Sequence, residues 1–365
     1  MKKHIALMIA AAVPAVAFAA PQATVYGQLH LSADYVNSDV SKEQKSYGTG
    51  LSDGSLSLSS NSSRFGLKGE LESGLENLKV IYQIESGFNV DGGDSTTGYL
   101  ASRNSYLGAR YLADKTMTFE VLGGRHDTLG KMTMGKNLFK DHVADYGAIF
   151  GATAAGGNKF DTRVNNMVLG RYIRNIEGGN LVVSAQASSD AGNANNTAKT
   201  VDDSKQTFHA VGVDLNQGPL SVAVAYDHWN NYSADADADI LRAVVSYKMG
   251  DWTAVGLGEN VRNTGALNRK AYGAQLGYKA DKWFYAGQVL QAGDAKDMED
   301  TGATMVSLSA QKSLTDSLAV YGVATRTHND DNAKFNGVDG GHGNKLKTVV
   351  DANPYALSVG AVLKF

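Results

Sequence analysis

The sequence predicts an all-β fold, a transmembrane antiparallel β-barrel of sixteen strands. Three observations predict it. Apolar and polar side chains alternate over segments of about ten residues, short and long polar connections separate these segments in turn, and the chain begins with a basic and then apolar leader. Alternation with a period of two is typical of strands that have one apolar face, and a closed barrel leaves no strand edge exposed.

The leader is interpreted as a secretory signal peptide. A basic head, Met1 to His4, precedes an apolar run from Ile5 to Ala20, and Ala17-Phe18-Ala19 satisfies the small-x-small rule for cleavage. A membrane anchor is the alternative, but the run is short, and no stretch of about 20 apolar residues follows later in the chain. The predicted domains are therefore a signal peptide, 1–19, and one barrel, 20–365.

The composition excludes several classes of protein. The 365 residues contain no cysteine, so disulfides and thiolate metal sites are excluded. Removal of Lys2 and Lys3 with the leader changes the formal charge from −3 to −5, which argues against a nucleic-acid partner. The mean hydropathy of −0.25 is ordinary for a soluble protein, but barrels also reach such values because apolar residues alternate with polar ones.

The alternating segments account for nearly all of the chain after the leader. Tight turns such as Gly250-Asp251 alternate with long polar connections, of which the longest runs from His126 to Asp161. An even number of strands is typical of single-chain bacterial membrane barrels. The sixteen predicted strands lie near 24–36, 55–70, 77–88, 100–112, 116–125, 162–174, 181–189, 207–216, 219–229, 240–249, 252–260, 270–279, 283–291, 302–311, 318–328 and 355–365.

The last predicted strand places its apolar residues on one face. Tyr355, Leu357, Val359, Ala361, Leu363 and Phe365 alternate with smaller or polar residues. A soluble β-sandwich could also end in such a strand, but the secretory leader favours the membrane barrel. Nine tyrosines near strand ends are predicted to form aromatic girdles at the membrane surfaces: Tyr26, Tyr82, Tyr106, Tyr172, Tyr226, Tyr247, Tyr278, Tyr321 and Tyr355.

Several motifs resemble the general bacterial porins of the trimeric, sixteen-stranded type. The resemblance covers the mature chain, with its most specific motifs in the first 130 residues and in the last strand. The matching segments are Val25-Tyr-Gly-Gln-Leu-His-Leu-Ser-Ala-Asp-Tyr35, Asn61-Ser-Ser-Arg-Phe-Gly-Leu-Lys-Gly69, Tyr82-Gln-Ile-Glu-Ser-Gly-Phe88, Arg103-Asn-Ser-Tyr-Leu-Gly108 and Gly124-Arg-His-Asp-Thr128. Many members of the family have proline after the last motif, whereas this chain has Leu129-Gly130.

The resemblance implies a general diffusion channel in the outer membrane for small hydrophilic solutes and ions. It implies a homotrimer embedded in outer-membrane lipid, with no cofactor, no metal and no nucleic acid. It also implies that the third loop, between His126 and Asp161, folds into the barrel and narrows the pore. Phe365 is similar to the terminal aromatic that the outer-membrane assembly machinery reads in that family.

Charged residues near this loop are candidates for the pore constriction. Opposed charges on the wall and the loop would create a field across the opening. For each residue alone, a solvated position on the wall is the alternative, and the family match is weaker for Arg163 than for the other arginines. The wall candidates are Arg64, Arg103, Arg125, Arg163 and Glu85, and the loop candidates are Asp127, Lys131, Asp141 and Asp145, with Lys136 and Lys140 interleaved.

Apolar residues in the loop favour folding into the barrel over a disordered external loop. These potential anchors are Leu129, Met132, Met134, Leu138, Phe139, Val143, Ile149 and Phe150. No catalytic residues are predicted, because the eight histidines are scattered and neither Gly-x-Ser-x-Gly nor His-Glu-x-x-His occurs. A solute-specific channel and a structural or adhesin barrel remain as alternative functions.

Overall fold

The computed structural model describes residues 23–40, 54–92, 100–151, 160–191, 206–233, 236–262, 268–336 and 348–365. The predicted signal peptide, 1–19, lies outside the described residues, as do parts of several long loops. Among the described residues, no helix has the length and apolar content needed to cross a membrane.

The described residues form strand segments that pair into one closed antiparallel sheet. The segments are β1 (Ala23–Asn37), β2 (Ser55–Ser60), β3 (Arg64–Glu72), β4 (Leu78–Gly87), β5 (Ser105–Leu112), β6 (Met117–Asp127), β7 (Arg163–Ile176), β8 (Gly179–Ser188), β9 (Thr207–Gln217), β10 (Leu220–Ser233), β11 (Ala236–Met249), β12 (Trp252–Arg262), β13 (Arg269–Ala280), β14 (Trp283–Ala292), β15 (Ala303–Ser313), β16 (Leu318–Asn329) and β17 (Tyr355–Lys364).

Two of these segments, β2 and β3, are halves of one wall strand. Both pair with β1, β2 opposite Leu31–Val36 and β3 opposite Ala23–Gln28. The break falls at Ser62, whose φ is 53°. There the Ser63 hydroxyl replaces a ladder partner, because it accepts from the backbone N–H of His30 at 3.0 Å and donates to the His30 carbonyl at 3.2 Å. The wall therefore has sixteen strands, which confirms the predicted fold class.

The barrel closes where β17 pairs with β1. The register runs from Gln28 opposite Lys364 to Asn37 opposite Tyr355. Beyond it, the backbones of Gly27 and Phe365 exchange two hydrogen bonds of 2.8 and 3.2 Å. A Cβ on Gly27 would come within 2.4 Å of the Phe365 ring, so this close approach requires glycine. Closure leaves no strand edge exposed, as the alternating pattern of the last strand predicted.

Tight turns join the strands at one end of the barrel. Gly250-Asp251 and Asp281-Lys282 connect their strands directly, and Gly250 and Asp281 have positive φ values of 58° and 52°. A further tight turn lies at Glu177-Gly178. The predicted connection was longer here, because β7 and β8 each extend about two residues beyond the predicted strands. β5 begins at Ser105 rather than near 100.

The two faces of the wall follow the predicted alternation. On β10, Val224 and Tyr226 are exposed on the outside, whereas Ala223 and Ala225 are buried inside. The same alternation leaves a band of large apolar side chains on the outer surface, including Leu56, Phe65, Ile84, Leu107, Val121, Val168, Val211, Leu241, Leu276, Val306, Leu308 and Val359. The outer surface is therefore suited to lipid.

Three of the nine predicted girdle tyrosines face the lumen instead of lipid. The Tyr26 hydroxyl donates to Glu85, Tyr106 lies beside Gln83, and the Tyr321 hydroxyl contacts the ring of His30 at 2.8 Å. The girdle prediction was wrong for these residues because a position near a strand end does not fix the face. The face follows from the parity of the residue along its own strand.

The connection between β6 and β7, here called loop 3, lies inside the barrel over its described residues, 128–151 and 160–162. It begins with a short helix, α1 (Leu129–Thr133), whose N-cap Thr128 accepts a hydrogen bond from Lys131. Of the predicted apolar anchors, Leu129, Met134, Phe139, Val143, Ile149 and Phe150 are buried, Leu138 packs against the same clusters, and Met132 is exposed. Loop 3 therefore folds into the barrel, as predicted.

Buried polar contacts fix the two ends of loop 3 to the wall. The backbone N–H of Gly130 donates to both oxygens of Asp227 at 3.0 and 3.1 Å, and its carbonyl accepts from Arg242 at 3.3 Å. At the other end, Gly151 donates to Glu259 at 2.5 Å, and Arg242 also pairs with Asp161. These contacts are shielded from water, so each lost partner would leave a buried polar group unsatisfied.

Gly130, which follows the position where many relatives have proline, has a structural requirement for glycine. A Cβ on Gly130 would come within 2.6 Å of the Asp227 carboxylate. Glycine therefore lets the backbone approach Asp227 closely enough for its N–H to be bound.

We expect Gly130→Ala to loosen the start of loop 3, because the new methyl group would displace the Asp227 carboxylate. Loss of this contact should lower the free energy of local opening by about 1 kcal/mol and increase trypsin cleavage in the loop roughly fivefold. Gly135→Ala is the matched control, since its Cβ would meet nothing within 4 Å. Equal cleavage of the two variants would contradict the anchoring role of Gly130.

We expect deletion of Phe365 to weaken closure, because both backbone hydrogen bonds between Gly27 and Phe365 are lost. The free energy of unfolding should fall by roughly 1–3 kcal/mol. It can be measured by urea unfolding of the barrel refolded in detergent. Phe365→Leu retains the backbone contacts and is the control. A deletion variant as stable as this control would show that the seam does not depend on the last residue.

Candidate functional site

Three of the four predicted constriction arginines lie on strands of the wall. Arg64 begins β3, Arg163 begins β7, and Arg125 lies near the end of β6. Arg103 belongs to the connection just before β5, so it is not part of the wall strand that the sequence predicted. Arg163 is close enough to Arg103 and Arg125 for their positive charges to repel its own. These four side chains therefore form one group on the inner wall.

Glu85 links two of these arginines. Its carboxylate accepts from Arg103 Nε at 2.6 Å and lies 3.9 Å from Arg64 Nε. The Tyr26 hydroxyl donates to the same carboxylate at 3.0 Å. Glu85 is 7% exposed, so its charge serves mainly to hold the two guanidinium groups in place.

Asp141 extends from loop 3 toward this wall group. Its carboxylate lies 3.7 Å from Arg64 Nη1, and its φ of 63° marks a sharp bend at the tip of the loop. Burial alone would raise the pKa of Asp141, but the positive charges of Arg64, Lys140 and Arg103 outweigh it and hold the pKa below its ordinary value. The structure therefore places an ionised carboxylate opposite the wall arginines.

A second ionic group lies at the start of loop 3. Asp127 is the last residue of β6, not a loop residue, and its carboxylate lies 3.1 Å from Lys131 Nζ and 3.4 Å from Arg163 Nε. Asn104 donates to Asp127 at 2.8 Å and accepts from Arg163 at 3.0 Å. These contacts fix the orientation of Arg163.

The structure does not bring all candidates to the opening. Arg125 donates to the Ser102 carbonyl at 3.2 Å and to Asn165, and it makes no hydrogen bond or ion pair with the described part of loop 3. Asp145 is buried within the loop, where it accepts from Asn137 at 3.0 Å and from the backbone of Asp141 at 2.5 Å. Asp145 thus shapes the loop tip that carries Asp141.

Positive charge exceeds negative charge among these residues. Five cations, Arg64, Arg103, Arg163, Lys131 and Lys140, lie around the three carboxylates of Glu85, Asp127 and Asp141. Below Arg64 and Asp141, an open polar cavity of about 730 Å³ extends toward the barrel end with the tight turns, where Asp316 and Lys364 line it. The arrangement therefore offers a polar passage between the wall arginines and the loop tip.

Further down the lumenal wall, charges of alternating sign are paired. Glu70 accepts from Lys79 at 2.6 Å and from Arg110 at 2.8 Å, and Glu120 accepts from Arg110 at 2.7 Å. Arg171 lies 3.6 Å from Glu120. This ladder makes the wall hydrophilic without adding a large net charge.

Sequence reasoning missed residues that position the site. Tyr26 was assigned to the lipid face, although Gln28 and His30, which share its parity on β1, are polar and mark the lumenal face. Asp227, Arg242 and Glu259, which hold loop 3, lie on strands far along the chain. Their parity indicates an inward direction, but nothing local in the sequence relates them to the loop.

Comparison with known proteins agrees with this architecture. The family model for Gram-negative porins matches residues 6–332. An outer membrane porin protein of Bordetella pertussis is 27% identical over 197 residues, and the aligned part covers 52% of this chain and only 48% of that relative.

Solved structures of porins share the fold. An anion-selective porin from Comamonas acidovorans has a TM-score of 0.72 at 20% identity, with 94% of this chain and all of that chain covered. The trimer form of OmpT from Vibrio cholerae has a TM-score of 0.62 at 18% identity, with coverage of 94% and 99%. Because the family match extends over most of the sequence and the barrel is closed around an inward-folded third loop, this chain belongs to the Gram-negative porin family.

Proposed function

We propose that this protein is a general diffusion porin of the outer membrane, through which small hydrophilic solutes and ions pass down their gradients. The observation that carries the proposal is the passage between Arg64 and Arg103 on the wall and Asp141 on loop 3. Opposed fixed charges across a water-filled opening orient polar solutes and disfavour apolar ones. Passage down a concentration gradient is already favourable, so it needs no energy coupling.

We also propose that the channel prefers anions. The mature chain has a formal charge of −5, but the field at the narrowest point has more influence on a permeating ion than the distant charges of the outer loops. There, the five cations Arg64, Arg103, Arg163, Lys131 and Lys140 surround three carboxylates, each of which is already paired with a cation. Anion selectivity of the Comamonas porin supports this preference by analogy.

The proposed partners follow from the barrel surface and from related porins. We propose a homotrimer in outer-membrane lipid, with β1 and β17 at the subunit contact; the trimer form of Vibrio OmpT supports this assembly. We propose that residues 1–19 are cleaved on export, that 20–365 form the mature barrel, and that the assembly machinery reads Phe365. We propose no enzymatic turnover and no cofactor, because passage through an open pore requires neither.

The proposal is tested by single-channel recording of the purified protein in a planar bilayer under a salt gradient. Large conductance steps, lost in threes on closure, are expected of an open trimer, and a reversal potential of anionic sign is expected from the excess of cations. A folded barrel without conductance would contradict a diffusion porin. Conductance blocked by one solute at low concentration would favour the alternative of a solute-specific channel.

We expect the triple variant Arg64→Gln, Arg103→Gln and Arg125→Gln to shift ion preference toward cations. Removal of three positive charges leaves Glu85, Asp127 and Asp141 less compensated, and a change in the permeability ratio of about fivefold corresponds to about 1 kcal/mol. Reversal potentials measure this ratio. The control, R174Q/K282Q/K312Q, removes as many charges at the turn end of the barrel, where the strand alternation places Arg174 and Lys312 on the outer face. An unchanged reversal potential in the arginine variant would remove these residues from the constriction.

We expect Asp141→Asn to strengthen the preference for anions at neutral pH. Because the pKa of Asp141 is held below its ordinary value, the wild-type carboxylate should keep its charge as the pH falls to about 4, where an ordinary aspartate is half protonated. The contribution of Asp141 is then lost only at lower pH. The reversal potentials of the wild type and the variant should therefore differ by the same amount at about pH 4 as at neutral pH. Convergence already at pH 4 would contradict the charge stabilisation by Arg64.

A further inference from the structure

We propose that a pair of histidines on the outer face of the barrel, His209 and His228, binds a divalent transition-metal ion of the Cu²⁺ type together with the side-chain oxygen of Asn230. These three residues are here called the histidine site. His209 and His228 are register partners on the neighbouring strands β9 and β10, and Asn230 follows two positions after His228 on the same face. Imidazole nitrogen is a preferred ligand of such ions.

The histidine site lies at the loop end of the wall, just outside the apolar band. The intervening residues Asp227 and Trp229 are buried toward the lumen, and His209 is exposed on the outside. In order from the tight-turn end, the outward positions of β10 are Val222, Val224, Tyr226, His228 and Asn230. Polar residues that follow an apolar and aromatic run mark the membrane surface, so water and dissolved ions reach the site.

The spacing of the ligand atoms matches a metal whose ligands lie at right angles. The ring centres of His209 and His228 are 4.6 Å apart, and His228 Nε2 lies 2.9 Å from Asn230 Oδ1. Two ligands at about 2.0–2.1 Å from a metal are about 2.9 Å apart at right angles and about 3.3 Å apart in a tetrahedron. The spacing therefore favours the tetragonal geometry of Cu²⁺ or Ni²⁺ over the tetrahedral geometry of Zn²⁺.

Hydrogen bonds already orient these ligand atoms. The Asp239 carboxylate lies 2.6 Å from His228 Nδ1, which directs Nε2 toward Asn230. Asn230 Nδ2 donates to the Thr207 hydroxyl at 2.6 Å, which turns Oδ1 toward His228. A carboxylate on the far nitrogen of a ligating histidine fixes the ring and strengthens its bond to the metal. The metal ion takes the place of the proton between Nε2 and Oδ1, and this proton is released to water.

The charges around the histidine site favour a cation. Asp239 lies beside His228, and the exposed Asp237 accepts from the backbone of Asn231 at 3.0 Å on the same rim. Arg262 is the register partner of Asp239 and opposes the cation from the far side. Two carboxylates and one guanidinium therefore leave the surroundings of the site with a net negative charge.

The ligand set of the histidine site is two imidazoles and one amide oxygen. Within the described ranges of the chain, no three His, Asp or Glu side chains are arranged to hold a metal ion. Asp239 is therefore a positioning residue, and water completes the coordination. Cu²⁺ has the highest affinity of the divalent first-row metals for a given set of nitrogen and oxygen ligands, so it is the ion that two imidazoles bind best.

The test measures Cu²⁺ binding to the purified, tag-free porin in detergent, by titration and by electron paramagnetic resonance. The variants are H209Q/H228Q and the control H328Q, which removes a histidine from the outward-facing loop end of β16. We expect wild type and control to bind Cu²⁺ with equal affinity and to show splitting from two ligating nitrogens. H209Q/H228Q should bind at least about 100-fold more weakly, because both imidazoles are lost.

The variant D239N tests the positioning role of Asp239. We expect its Cu²⁺ affinity to fall about tenfold while the splitting from two nitrogens persists, because the ligands remain and only the orientation of His228 is weakened. Unchanged affinity would remove Asp239 from the site.

Three results would overturn the proposal: equal Cu²⁺ affinity of wild type and H209Q/H228Q, an equal loss in H328Q, or a wild-type spectrum with splitting from only one imidazole. Far-UV circular dichroism of each variant provides the readout of folding. Because His209 and His228 lie outside the lumen, single-channel conductance should be the same in wild type and H209Q/H228Q. Failure of metal binding and failure of the proposed channel are therefore distinguishable.

Discussion

The arrangement of the pore depends on one buried cation, the guanidinium of Arg242. It is 1% exposed and lies between the carboxylates of Asp161 and Glu259, while it also donates to the carbonyl of Gly130. A buried charge is tolerated only with such partners, and removal of one partner is strongly destabilising. Since Gly130 and Asp161 belong to opposite ends of loop 3, the same side chain ties both ends to β11.

This anchoring gives the proposed constriction its defined electrostatics. Apolar residues such as Phe139 and Val143 seat the middle of loop 3 against the far wall, and the bend at Asp141 then faces Arg64. Glu85 holds Arg64 and Arg103 from the other side. A transverse field of this kind exists before any solute arrives, so a permeating molecule meets fixed dipoles that need little reorganisation.

The lumenal wall compensates its cations away from the constriction. In the lumen, Arg110 and Arg171 belong to a ladder with Glu70 and Glu120, which keeps the wall hydrophilic at low net charge. The opposed charges of Arg64 and Asp141 belong instead to two different parts of the chain, the wall and loop 3.

The sequence by itself determined the barrel, its strand count and the loop that enters it, because alternation with a period of two, tight turns and the apolar residues of loop 3 are local properties of the chain. Through the resemblance to porins, Arg64, Arg103 and Arg125 were predicted to lie in the wall facing the loop, and Asp141 was one of three loop carboxylates predicted to lie across from them. Only the tertiary structure decided that Tyr26 faces inward, that Asp145 is buried in the loop, and that Asp227, Arg242 and Glu259 hold its ends. These contacts join residues about 100 positions apart, and their pairing depends on strand register and on the path of loop 3 across the lumen, which no local pattern encodes.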